Sequence, residues 1–364
     1  MTARFATIGG GTFGEMHIRA LTQRARMNDI EFVGVADLSA DIRTARADSY
    51  GIATFESAEH LIEETRPDAV TVATPDHLHR DIVVDCLERG IHVLVEKPMD
   101  VKVDGCRAMV AAAKDNERLL QVDFMKRQDL YHLELKRIID AGGLGNVQYG
   151  YAWMEDRIEV PRDWLPGWAS SSSPAWFVGV HYYDLIRWVV GRDAVAVTAT
   201  GVANKLKSLG IDTYDSIQAK IMFPDGVSFT VDTAWHIPDG NEAVVNQGIK
   251  VVGSDGWLTV DSQDRGTRGC VKPSPDAPAG MITPNLGFFK EGIEAGIPRY
   301  WGYSIDAIET FVTNVQGLIS NTTTLSDLDG TYPSGVDGME VTKIAVAVHE
   351  SVARSGETVE LSSL

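Results

Sequence analysis

Arg4-Phe5-Ala6-Thr7-Ile8-Gly9-Gly10-Gly11-Thr12-Phe13-Gly14, followed at once by Glu15-Met16-His17-Ile18-Arg19-Ala20-Leu21, reads as strand, tight turn and helix. Gly9, Gly11 and Gly14 stand at the Gly-x-Gly-x-x-Gly spacing. In that pattern the first glycine permits the turn, the second lets a pyrophosphate approach the backbone, and the third lets helix pack on strand. Thr12 and Phe13 would open the helix, whose unpaired N–H groups favour an anion. Glycine-rich turns also occur for purely conformational reasons, so the surrounding sequence has to carry the argument.

That context is present. A second apolar run, Ile30 to Ala36, ends in Asp37, roughly twenty residues beyond the last glycine, where a carboxylate accepts from the ribose hydroxyls of a dinucleotide. Asp37 would repel a 2′-phosphate, and no basic residue follows in Leu38-Ser39-Ala40, so the pattern favours NAD over NADP; Arg43 is the nearest side chain that works against this.

Working outward, apolar strands alternate with helices. Ile52 to Phe55 reads as a short strand and Ala58 to Thr65 as a helix. Ala69-Val70-Thr71-Val72-Ala73-Thr74 suits a strand buried on both faces, and it stops at Pro75. Asp76-His77-Leu78-His79 starts the next helix; Ile91 to Val95 is another strand, running into Glu96-Lys97-Pro98-Met99. Strands alternating with helices at this spacing demand parallel pairing through right-handed crossovers, a doubly wound α/β sheet with ligands at the strand C-terminal ends. Leu119 to Val122 closes this Rossmann domain, over residues 1–123. From residue 124 to 364 consecutive strands joined by short turns, Pro224-Asp225-Gly226 among them, predict an α+β domain with a large, mainly antiparallel open sheet. A sheet face rich in Thr, Val, Ile and Trp needs a cover, which predicts a homodimer or homotetramer formed through it. The Gly- and Pro-rich stretch Asp264 to Pro298 reads as an excursion near the substrate or at a subunit contact.

The 364 residues carry a formal net charge of −18 with no Lys/Arg cluster, which argues against nucleic acid or anionic lipid as partner. Cys86, Cys106 and Cys270 are far apart, indicating neither a disulfide framework nor a metal cage. No charged-then-apolar leader and no membrane-length apolar run is found, and the expected compartment is the cytoplasm.

Three stretches together resemble the Gfo/Idh/MocA oxidoreductases: the glycine turn with Asp37; Ala73-Thr74-Pro75-Asp76…His79 with Glu96-Lys97-Pro98; and Gly179-Val180-His181-Tyr182-Tyr183-Asp184. The resemblance implies an NAD(P)-dependent enzyme oxidising or reducing a sugar, cyclitol or related polyol. It implies that Thr74, Pro75 and Glu96 line the nicotinamide ribose region, that His79 and Lys97 also belong to the cofactor-binding set, that Lys97 approaches the reacting oxygen, and that His181 faces it from the second domain. Hydride transfer from a secondary alcohol leaves a carbonyl only if the hydroxyl proton also departs, so a base is required. An amine after a buried strand and beside a positive nicotinamide is suited to that task. Asp184, three residues beyond His181, shares its helix face and would orient the imidazole or bind a hydroxyl.

Many sugar and inositol dehydrogenases of this family carry Asp four residues before the histidine, where this chain has Phe177. Either His181 and Lys97 suffice, or another acid substitutes, or the aromatic ring stacks on a sugar. Arg127, Trp153 and Arg157 complete the expected substrate-binding set by analogy. Two other readings follow from the same residues: a glycosidase that uses transient oxidation at C3 with retained NAD, and a non-catalytic sensor of dinucleotide or sugar.

Overall fold

The computed structural model describes residues 2–263, 268–272, 279–283 and 285–364. The chain forms two compact units: Met1–Asp129 with Gly287–Thr342, and Leu130–Leu286 with Lys343–Leu364. The division therefore differs from the consecutive stretches 1–123 and 124–364, because the chain returns to its first unit after Gly287.

In the first unit β1 (Arg4–Ile8), β2 (Glu31–Ala36), β3 (Thr54–Phe55), β4 (Ala69–Val72), β5 (His92–Val95) and β6 (Leu120–Val122) form a parallel sheet in the order β3-β2-β1-β4-β5-β6. The order reverses between β1 and β4, and at such a switch point the strand ends open a crevice for ligand. Every residue of β4 and β5 is buried, as their unbroken apolar runs require. The intervening helices are α1 (Thr12–Arg26), α2 (Ala40–Tyr50), α3 (Ala58–Thr65), α4 (His79–Glu88) and α5 (Val103–Asp115). Ser39 and Ser57 cap α2 and α3 by accepting from Ile42 N (3.4 Å) and His60 N (3.1 Å).

The returning segment belongs here for a packing reason. On the helix Tyr303–Ile319, Ile305, Ile308, Phe311, Val312 and Val315 make one apolar stripe, and it packs with Phe5, Ala20, Leu21 and Leu94. Phe311 meets Phe5 edge to face, with ring centroids 6.1 Å apart. Gln23 of α1 holds the preceding strand by donating to Tyr300 O (3.3 Å) and accepting from Tyr300 N (2.9 Å). Beyond the helix, Val122 N donates to Pro333 O (2.9 Å) at the β6 edge.

The second unit is built on β7 (Val147–Arg157), β8 (Ala196–Val202), β9 (Ser216–Met222), β10 (Ser228–Ile237), β11 (Val245–Gly253) and β12 (Trp257–Asp261), with a short last strand Val359–Glu360. The order is β12-β11-β7-β10-β9-β8, with the last strand beside β8. Every pairing is antiparallel except β7 with β10, at the centre. The turn between β9 and β10 places Asp225 and Gly226 at φ 62° and 80°, which short polar residues and glycine tolerate. Of the stretch Asp264 to Pro298, residues 264–267, 273–278 and 284 lie outside the described residues; Lys290–Glu294 and Ile297–Trp301 form an antiparallel hairpin in the first unit.

The two faces of this sheet differ. Gly150, Ala152, Met154 and Asp156 of β7 and Phe229, Val231, Thr233 and Trp235 of β10 are buried. Gly179 lies against Thr233, so α7 (Val180–Val190), which it precedes, packs on that face. The opposite face carries Tyr149 and Tyr151, both exposed, and Trp153, stacked on Tyr151 with centroids 5.5 Å apart. Among the described residues no helix is long and apolar enough to cross a membrane.

Phe311→Ala should lower stability by about 3–5 kcal/mol, the usual cost of emptying a buried phenylalanine site. Urea unfolding reads the change, and an unaltered transition would mean that the returning helix does not hold the first unit together.

Candidate functional site

The glycine turn is shaped by contacts that exclude side chains. Gly9 has φ 96°, and a Cβ there would collide with the Ala73 carbonyl; a Cβ on Gly14 would collide with the Gly9 carbonyl oxygen. At Gly11 a Cβ would meet nothing within 4 Å. Gly9 and Gly14 thus serve the fold, while Gly11 borders open space at the start of α1, beside the exposed Thr12 and Phe13. Asp37 closes the other side: its carboxylate accepts from Gly10 N and Ser39 N, both at 2.8 Å. Each oxygen retains a lone pair for a ribose hydroxyl. Arg43 donates to the carbonyls of Asp37 (2.8 Å) and Leu38 (3.0 Å), and so is engaged by the main chain beside Asp37.

Beyond β4, the buried hydroxyl of Thr74 has no hydrogen-bond partner among the described residues, and Pro75 is exposed. An open glycine, a carboxylate with spare lone pairs and an orphaned hydroxyl together fit a dinucleotide laid across the ends of β1, β2 and β4. His79 has a different place. Its Nδ1 faces the carbonyls of Pro98 (3.1 Å) and Met99 (3.3 Å), and its Nε2 that of Thr74 (2.9 Å), so it struts two loops from full burial.

All ten residues 91–100 are buried, including Glu96 and Lys97. The Lys97–Pro98 peptide is cis. The Lys97 amine stands over the ring of Phe13, 5.5 Å from its centroid, so amine and glycine turn meet in one place. The Glu96 carboxylate turns inward, accepting from Lys97 N (3.1 Å) and bonding His17 Nε2 (3.2 Å). Burial opposes its charge, but the His17 bond, the His17 charge and Lys97 hold it below the usual carboxylate range. His17, fully buried, is raised by the same contacts against its own desolvation. Asp123 completes the group, with Oδ2 3.8 Å from His17 Nε2; burial, then the charge of Glu96, pushes its carboxyl up to about 7. Sequence reasoning missed His17 and Asp123, since three separate elements bring this group together and no spacing announces it.

In the second unit, His181 and Asp184 lie on α7, which is buried on nearly every side. A π-helical turn, Ala175–Gly179, leads into it. Ser173 sets this entry by accepting from Trp176 N (3.2 Å) and bonding His349 Nε2 (2.7 Å). Phe177 packs with Trp168 and Trp235, at centroid distances of 5.5 and 5.6 Å, in an apolar cluster with Ile158, Ala169, Leu206 and Ile211. Its ring anchors the loop. Trp153 lies over Gly248 on the open face of the sheet, opposite the face on which α7 packs, and is not brought together with His181. Arg157 bonds Asn241 O and pairs with Glu159 (3.3 Å), and Arg127, in the first unit, pairs with Asp337 (3.5 Å).

Fold and glycine turn define an oxidoreductase built on an NAD-binding domain. Residues 3–124 match the family model described as an oxidoreductase family with NAD-binding Rossmann fold, and residues 132–259 match the GFO/IDH/MocA C-terminal domain. The chain belongs to the Gfo/Idh/MocA family. It is 27% identical over 266 residues to inositol 2-dehydrogenase of Rhizobium meliloti, covering 72% of this chain and 77% of that one. It is 31% identical over 262 residues to inositol 2-dehydrogenase 4 of Saccharopolyspora erythraea, covering 70% and 75%. The crystal structure of scyllo-inositol dehydrogenase from Lactobacillus casei, with bound NAD(H) and scyllo-inositol, shares the fold at a TM-score of 0.79 and 17% identity, over the whole of both chains.

Gly11→Val should leave the unfolding temperature near its original value while weakening NAD binding at least roughly tenfold, whereas Gly14→Val, which forces helix from strand, should lower both. Calorimetric titration beside thermal unfolding separates the two, and undiminished NAD affinity in Gly11→Val would contradict the cradle.

Proposed function

We propose that the chain oxidises a secondary alcohol of a cyclitol or related ring polyol, with NAD as hydride acceptor and Lys97 as the base, and reduces the ketone in reverse. The observation that carries the reading is the Lys97 amine over Phe13, where the parallel strands end beside the glycine turn. Bound NAD supplies the hydride acceptor. Lys97 takes the proton from the hydroxyl oxygen as hydride leaves the carbon that bears it, so its amine becomes an ammonium; in reduction the ammonium returns that proton to the carbonyl oxygen. His181 is the second proton-handling group in this reading, with Asp184 one turn along to orient it. The inositol dehydrogenases among its relatives support the substrate class.

The test is absorbance of reduced nicotinamide with NAD and a panel of inositols and sugars. Lys97→Met should lower turnover by about 100-fold or more, the range lost with a general base, and leave NAD binding intact. Turnover surviving in Lys97→Met would remove the lysine from the chemistry.

A second copy of this chain is the proposed cover for the open sheet face, on which Tyr149, Tyr151 and Trp257 are 55%, 40% and 66% exposed. A contiguous aromatic patch of this kind favours association through it. Tyr151→Asp with Trp257→Asp should shift the mass measured by light scattering to that of a single chain; an unchanged assembly would place the contact elsewhere. The proposed compartment is the cytoplasm, which three thiols standing free of disulfides support.

A further inference from the structure

The group behind Lys97 holds one carboxylate more than its histidine balances. Glu96 is bound by His17 and by the main-chain N–H of Lys97. Asp123 brings a carboxylate oxygen within 4.8 Å of both the His17 nitrogen and a Glu96 oxygen, and its Oδ1 has no partner among the described residues. All three side chains are buried. Two carboxyls this close and away from water do not both ionise readily, so one keeps its proton. Glu96 has the cation and the N–H; Asp123 is the member that keeps the proton.

We propose that Asp123 is a positioning residue acting through Glu96 on Lys97: protonated, it leaves the amine facing a balanced His17–Glu96 pair, and ionised, it adds a negative charge that holds the ammonium. This rests on Lys97 being the proton-transfer group. The direction follows from the charges. Below the titration of Asp123 the pair is neutral overall. Above it, the added charge favours the ammonium, extending the pH range for carbonyl reduction and delaying the rise of alcohol oxidation. Burial and Glu96 place that titration at about 7.

Asp76, ahead of α4, interacts with His79, Lys97 and Glu96, and burial raises its carboxyl. Asp337, on the helix beginning at Gly335, is paired with Arg127, and Lys126 points its amine at the Tyr303 ring, 5.7 Å from the centroid.

The experiment compares pH profiles of oxidation in the original protein and in Asp123→Asn, with Lys97→Met as reference. Asparagine keeps the shape and loses the ionisation. The midpoint of the oxidation rise should move to lower pH by roughly half a unit or more, as expected for removing a nearby charge. A purely structural role would scale the rate at every pH and leave the midpoint in place, which would overturn the inference while Lys97→Met, inactive with NAD still bound, upheld the function. Activity in Lys97→Met would overturn both. Where Asp123→Asn does not fold, carboxyl-carbon NMR of the unaltered protein labelled in aspartate decides: one aspartate should titrate near neutrality, and its absence overturns the proposal. Stoichiometric metal in the purified protein would do the same, since a cation in place of the proton would hold both carboxylates ionised.

Discussion

Gly14 rests against the carbonyl oxygen of Gly9, an approach that any side chain at position 14 would block. The direction of α1 depends on this contact, and much follows from it. With the helix drawn onto β1, Phe13 at its start reaches Lys97 and His17 in its second turn points inward to Glu96. Asp37 takes the main-chain N–H of Gly10 and so ties the end of β2 to the same bend. One close backbone contact therefore sets the glycine turn, the place of the Lys97 amine and the buried charges behind it.

Those buried charges are stabilised as a set. Glu96 and Asp123 would each be costly to ionise alone so far from water, and the histidine and one proton between them reduce the cost. Such a group stays intact only while its walls stay dry, and here the walls are the unbroken buried run 91–100 and the side chains of β6. The chemistry of the cleft and the apolar core of the sheet are thus supported by the same strands.

The first unit was largely legible in the sequence, because fully buried strands give unbroken apolar runs and each βα turn carries its own glycine, serine or proline. The turn residues, Asp37 and Lys97 stood out for the same local reason. What escaped was non-local. The stripe Ile305-Ile308-Phe311-Val312-Val315 announces an amphipathic helix, but periodicity does not say which sheet receives it, and the return of residues 287–342 to the first unit has no local signal. The parallel pairing of β7 with β10 was hidden because the chain between them travels through α7, β8 and β9. At Phe177 the residue type suggested a sugar platform, yet Trp168 and Trp235, nine residues before it and fifty-eight after, pack against its ring. His17 and Asp123 lie 106 positions apart and meet through three separate elements.

The late return of residues 287–342 also bears on how the molecule is made. A ribosome releases the first 129 residues long before the helix that covers Phe5 and Leu21, and at about 5–20 residues per second the interval is roughly ten to forty seconds. Throughout it the nascent nucleotide-binding half presents a bare apolar flank to the cell, an opportunity for chaperones and a hazard of aggregation. By the same logic, a fragment cut after Asp129 would be released permanently with that flank uncovered.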